Sequence, residues 1–585
     1  MKFKLPKSLI IAVLAATSAA YAAPYYDSID QVINVGKDQT TSWSDVENIP
    51  TSQPTNSFAL AKDGEGTLSY TGKGTCYTTI YVREGEMQFG DGTTETNIRF
   101  QPTKNNAQGR YNALSVGGKD AVVSFNNATA TCNETAIMVG GANGNGKMII
   151  ENGSKVDFAG GNVFVLGDMS LEEMTDPNTG LRDGYTNATT AQPGASVNSA
   201  DNLYNGNYSD AKNGSGATFG RGELVVKDGS YFRATYGNFW IGEGALTVEG
   251  ENTVMDVALN GYGYRTWLGL GDNTTSEVNV AGGAQLNFNA SEFYTNNGNN
   301  SSTFITIDGE NSKLVIRDQT TAAGEEKINK AYFCTSGQNS STDVKVTNGG
   351  ELRLENDSTT FGNQGSTAAN RNVTVEIGEG SKLYVTDADV NNGATITNDG
   401  TLEISEEGFL ELIGKGSATN NGEIIGDTWL HDGGTLTATD GSTMSRVFLG
   451  AYNTDINDGK LIIAGNVTMN GDLKGFSGAG AQVIFTLDGM LDMNGNKVLL
   501  DGAQLLVKVD EKVSDTTLFD QSTLFLNYSE ESDINDEMQV LVVGADNSAT
   551  IRTVGDLNKV VPEPGTATLS LLALAALAAR RRRKA

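Results

Sequence analysis

Apolar and polar positions alternate in short runs along most of the chain, and each run stops at Gly, Asn or Asp. Glu223-Leu224-Val225-Val226-Lys227 leads through Asp228-Gly229-Ser230 into Tyr231-Phe232, and a third apolar run, Asn238-Phe239-Trp240-Ile241, closes at Gly242. A period of two is that of a strand with one buried face, and Asp-Gly or Asn-Gly between two such runs predicts a tight turn. The same phrase occurs earlier as Lys147 to Phe158, closing at Val163-Phe164-Val165-Leu166-Gly167. Closings of this kind return at Ile137-Met138-Val139-Gly140, Thr266-Trp267-Leu268-Gly269 and Val447-Phe448-Leu449-Gly450. The turn and following strand return at Gly283-Ala284-Gln285-Leu286, Asn311-Ser312-Lys313-Leu314, Gly350-Glu351-Leu352 and Gly380-Ser381-Lys382-Leu383. About ten units are countable in this way.

A unit this small cannot bury its own apolar face, so neighbouring units must stack and share one interior, with alternate strand residues pointing inward. The predicted fold is therefore all-β, a parallel β-solenoid over residues 61–510. Glycine is expected at corners where the backbone takes positive φ or passes close to the next coil. Asparagine near the corners fits either side-chain ladders or simple turn preference. An open coil exposes unpaired strand edges, so caps are expected at 23–60 and at 511–560, the latter carrying Phe519, Phe525 and Val540-Leu541-Val542-Val543. Between 168 and 220 the apolar periodicity vanishes, and Tyr185, Tyr204 and Tyr208 lie among small polar residues. That insertion reads either as a disordered segment or as a recognition loop suited to glycans.

Both ends read as addresses. Lys2, Lys4 and Lys7 precede the apolar run from Ser8 to Ala16, and the small residues Ala20 and Ala22 frame a cleavage site, so residues 1–22 form a signal peptide with a short helix. At the other end, Val561-Pro562-Glu563-Pro564-Gly565 precedes an apolar stretch from Thr566 to Ala579 and the basic cluster Arg580, Arg581, Arg582, Arg583 and Lys584. An apolar helix of that length rises only about 21 Å against a hydrocarbon core of roughly 30 Å, which suits a transient stop; a permanent anchor is the other reading. The basic cluster would keep its end in the cytoplasm. Residues 561–585 resemble the PEP-CTERM sorting signal of Gram-negative bacteria. The resemblance implies recognition by an exosortase, a membrane-bound transpeptidase that cuts near the Pro562-Glu563-Pro564 motif. The secretion machinery and, transiently, the inner membrane would be its other partners. The repeat itself resembles the autotransporter-associated β-strand repeats, which implies a right-handed parallel β-helix. An autotransporter ends in a membrane β-barrel of alternating segments. This chain shows the PEP-CTERM-like tail instead, which favours general secretion followed by tail sorting.

The formal charge of −30 deepens when the two basic ends are set aside, leaving 70 acidic against 33 basic residues. A body that acidic repels nucleic acid, and that partner class is excluded. Cys76, Cys132 and Cys334 are too few for a disulfide framework; they read as buried small residues, with a Cys76–Cys132 bridge as the alternative. His431, the one histidine, precedes Asp432-Gly433 and reads as a turn residue, and paired-histidine zinc sites cannot be built. The run Gly140 to Gly146 lacks the aspartate of a calcium-binding nonapeptide, having Asn145 in its place. No nucleophile elbow or phosphate loop is present, so no catalytic residue, metal or cofactor is expected. The expected function is that of an exported surface or matrix protein with a structural or adhesive role, with glycans or other surface proteins as candidate partners. A glycan-active β-helix enzyme is the rival, recognisable by two carboxylates about 5 to 10 Å apart beside aromatic rings. A glycan-binding module centred on residues 168–220 is the third reading.

Overall fold

The computed structural model describes residues 30–557 apart from 55–57, 102–111, 134–135, 141–144, 168–220, 260–264, 272, 291, 297, 318–329, 335–336, 363–369, 451–457, 477–479, 509–523 and 545–547. The expected signal segment with Ala20 and Ala22, the insertion at 168–220 and the whole tail from Pro562 to Lys584 lie outside the described residues.

Among the described residues, 48 strands join in one connected sheet. Each coil contributes one strand to each of three parallel ladders. In one such coil Gly244–Glu249 belongs to ladder 2, Val254–Leu259 to ladder 3 and Arg265–Leu268 to ladder 1, after which Thr275–Ala281 returns to ladder 2 directly upon Gly244–Glu249. Ladder 1 runs from Gln31–Asn34 to Val498–Leu499, ladder 2 from Thr40–Ser42 to Gln539–Val543, and ladder 3 from Lys73–Cys76 to Phe525–Leu526. Parallel pairing thus starts before residue 61 and continues past 510, so part of each expected cap contributes coils. At about 4.8 Å per rung, ladder 2 makes a rod on the order of 80 Å long. Four strands, among them Thr78–Phe89 and Tyr231–Ile241, are long enough to turn a corner and serve two ladders; Thr78–Phe89 does so through register shifts at Val82, Glu84 and Glu86.

The alternation predicted from sequence is what fills the interior. Leu224, Leu246, Val278, Ile305, Val344, Val375 and Ile396 stand one above another in ladder 2, every one of them buried. Larger side chains stack in the same way, with ring centroids 5.0 Å apart for Phe89 and Phe125, 5.2 Å for Phe164 and Phe239, and 4.8 Å for Phe333 and Phe361. Cys76 and Cys132 fall in one column of ladder 3 with Phe100 between them. Two rungs are about 9.6 Å, beyond the reach of a disulfide, and both cysteines are buried in the reduced form. The bridge considered from sequence is therefore not formed.

The corner between ladders 2 and 3 is the most repetitive. Asn152 and Gly153 (φ +54° and +70°), Asp228 and Gly229 (+56° and +67°) and Asn348 and Gly349 (+53° and +86°) take successive left-handed conformations there, as a tight turn of this kind requires. The Ser that follows ties coils together. The Ser312 hydroxyl donates to the Asp308 carbonyl at 2.6 Å and accepts the Gly283 N–H of the neighbouring coil at 3.0 Å. At the corner leading into ladder 2, Asn273, Asn300, Asn339 and Asn370 all have positive φ and form a ladder of amides, each Nδ2 donating to the previous Oδ1 at 3.2, 3.3 and 3.0 Å. Both readings of the corner asparagines, ladder and turn preference, hold at once.

Candidate functional site

Positions of ladder 1 that point away from the core form a second column, in which Trp240, Thr360 and Phe448 are buried and Trp267, Tyr294, Tyr332, Asp389, Glu411 and Trp429 are partly exposed. In register it reads Trp240, Trp267, Tyr294, Tyr332, Thr360, Asp389, Glu411, Trp429, Phe448 and Lys474. Carboxylates occupy its middle, with aromatic rings on either side of them and Lys474 at the last rung.

In the upper part Trp267 lies 4.3 Å from Tyr294 and Tyr294 lies 5.3 Å from Tyr332, the planes inclined by 19° and 5°. Arg265 sits 5.8 and 5.6 Å from the Trp267 and Tyr294 rings while its Nε donates to Glu292 at 2.5 Å. Burial, seconded by the Glu292 charge, pushes the Tyr294 hydroxyl well above its usual range. The lower platform is Trp429, 4.5 Å from Phe448 and 5.4 Å from Phe476. Arg446 and Lys474 approach the Phe448 ring at 5.8 and 5.9 Å, and Arg446 also holds Asp427 through two bonds of 2.7 Å.

Between the platforms, Asp389 lies on Ala388–Val390 with Asp387 just before that strand, Glu411 on the next rung and His431 beyond it. Burial first, and then the Glu411 carboxylate, raises Asp387 from its ordinary value of 3.8 to about 6; the Phe409 and Ala388 N–H groups bonded to it act in the other direction. Asp389 is pushed to about 6 by burial, then by the Glu411 and Asp387 charges and a hydrogen bond with Glu411, against the pull of His431. His431 Nε2 stands 3.7 Å from Glu411 Oε2. Its backbone forms the expected turn, the carbonyl accepting the Gly434 N–H at 3.0 Å. A carboxyl group that holds its proton up to about pH 6, paired with an acceptor carboxylate, can deliver and take back a proton near neutral pH. The flanking rings can stack on a sugar.

Chain connections single out the same face. Residues 102–111 and 318–329 lead into ladder 1, and residues 141–144, 168–220, 363–369, 451–457 and 477–479 lead out of it. Corners between ladders 2 and 3 are one to four residues long, except at 90–95 and at the connection through 509–523. Insertions in a solenoid gather on one face, often the binding face.

Sequence reasoning left the carboxylates unassigned because acidic residues are spread along the chain. The available signal was register: aligning Ala388-Asp389-Val390 with Leu410-Glu411-Leu412 on their inward residues puts Asp389 over Glu411. Among the described residues no group of three or more His, Cys, Asp or Glu is arranged to hold a metal ion, and no helix is long and apolar enough to cross a membrane.

A protein-family model of the PEP-CTERM protein-sorting motif matches residues 560–584. That match covers the expected motif Pro562-Glu563-Pro564 and the basic cluster, and no part of the rod. It marks the chain as an exported protein processed by an exosortase-like sorting enzyme. No curated protein and no solved structure matches the chain.

Proposed function

We propose that this exported, tail-sorted chain serves as a non-enzymatic rod at the cell surface or in the extracellular matrix, structural in its length and adhesive along ladder 1. One observation carries the reading: the three ladders continue coil upon coil over a single apolar interior, and the long connections, 509–523 excepted, border the face of ladder 1. A stiff body suits display at a distance. The aromatic column of that face suits contact with glycans or with other surface proteins. The purified rod, applied to a panel of plant, mucin and microbial glycans, is expected to be retained without breaking bonds, and Trp429→Ala is expected to weaken retention at least tenfold. Reproducible bond cleavage would overturn the non-enzymatic reading, and the absence of retention on every glycan and on whole cells would overturn the adhesive one.

A second reading, a glycan-active enzyme, is favoured by Asp389 and Glu411 on adjacent rungs beside Trp429. On that reading the same panel yields cleavage with a pH optimum near 6, and Asp389→Asn abolishes cleavage while sparing retention.

A further inference from the structure

The C-terminal end of the rod is closed differently from the rest. After Gln539–Val543 the chain reverses into Ala549–Thr553, the one antiparallel pairing among the described residues. It then makes a single helical turn, Val554–Leu557, whose Val554 and Leu557 are buried and whose first N–H bonds to the Met538 carbonyl at 2.8 Å. Folded structure therefore persists to Leu557, and Pro562 follows five residues later. Five residues span at most about 18 Å even when fully extended.

A cleft that cuts a peptide grips several extended residues on the N-terminal side of the bond, much as a sheet edge accepts a strand. Here the chain offers only Asn558-Lys559-Val560-Val561 before the motif. The rim of the cleft must then meet the cap. The surface it meets includes the outer edge of Ala549–Thr553, on which Ile551 is 61% exposed, the largest exposure among the exposed large apolar side chains.

We propose that this cap is a docking face for the membrane-embedded sorting enzyme, held against it by the shortness of the tether. The rod is thereby oriented, with its last coil at the membrane and its Gln31 end distal. The proposal rests on the reading of the tail as the substrate of an exosortase-like enzyme, and its test separates the two.

In the full chain, expressed in a host with a sorting enzyme of this class, processing is followed by pulse-chase and by the mass of the mature C-terminus. Ile551→Asp is expected to slow processing threefold or more without lowering the melting temperature of the rod. Twelve Gly/Ser residues inserted after Lys559 are expected to make the rate indifferent to residue 551. Deleting Asn558 to Val561 is expected to slow processing at least tenfold. Native rates for Ile551→Asp and for the deletion would overturn the docking face. If Pro562→Ala with Glu563→Ala is processed at the native rate, the sorting reading itself fails.

Discussion

Asp387 and Asp389 bind protons more tightly in the folded rod than their ordinary value of 3.8 allows, both being raised to about 6. Between about pH 4 and pH 6 the folded chain holds protons there that the unfolded chain has released, so their contribution to stability falls as pH rises through that window. Asp389→Asn should raise the melting temperature at pH 7.5 and flatten its decline between pH 4 and 6; thermal melts across pH check this, and a lower melting temperature at pH 7.5 would contradict it. The interior carries a polar device of its own in Asn398 and Asn420, both buried in ladder 2. The Asn398 Nδ2 donates to Asn420 Oδ1 at 2.8 Å, and the Asn420 Nδ2 donates to the Thr443 carbonyl at 2.9 Å. Asn420→Ala removes one of the two acceptors of the Asn398 amide, which keeps the Glu423 carbonyl at 2.9 Å, and takes the side-chain donor from the Thr443 carbonyl; it is expected to cost about 1–3 kcal/mol in denaturant unfolding. Alternation in the sequence marks both positions as inward, but their polarity looks like an error until the neighbouring rung supplies the partner.

Strands and corners were the most legible elements, because each is specified within a few residues. Asn-Gly and Asp-Gly pairs between alternating runs name the tight corner, and the observed φ values follow from them. Glycine plays two roles that the sequence does not separate. At Gly153, φ is +70° and a Cβ would meet nothing within 4 Å, so only the backbone conformation is at stake. At Gly434, a Cβ would lie 1.8 Å from the Leu412 carbonyl oxygen in the coil beneath. Gly153→Ala is expected to cost about 1 kcal/mol, and Gly434→Ala more, since backbone of two coils must part; melting temperatures of the two variants give the order. The extent of the ladders was less legible. Gln31–Asn34, Thr40–Ser42 and Gln539–Val543 are irregularly spaced, and their membership in the ladders comes from pairing with distant residues rather than from repetition.

At the scale of the whole molecule, a rod with an apolar interior depends on closed ends. Truncation after Lys508 removes the antiparallel strand and the helical turn that cover the last coil, and with them the Asp533 carboxylate that accepts the Leu500 and Asp501 N–H groups at 3.0 and 3.2 Å. The truncated rod is expected to self-associate in a concentration-dependent way, seen by light scattering, while the complete rod stays dispersed under its acidic charge. By itself the sequence determined the C-terminal sorting signal, the all-β class and the stacking of coils, because each rests on local pattern: a short peptide read by other machinery, a period of two, and tight turns. Only the tertiary structure decided which residues share a column. Coil length varies from one rung to the next, so sequence distance does not convert into height along the rod. Asp389 meets Glu411, Trp267 meets Tyr294 and Cys76 misses Cys132 because backbone pairing sets the register, and register is a property of two coils together.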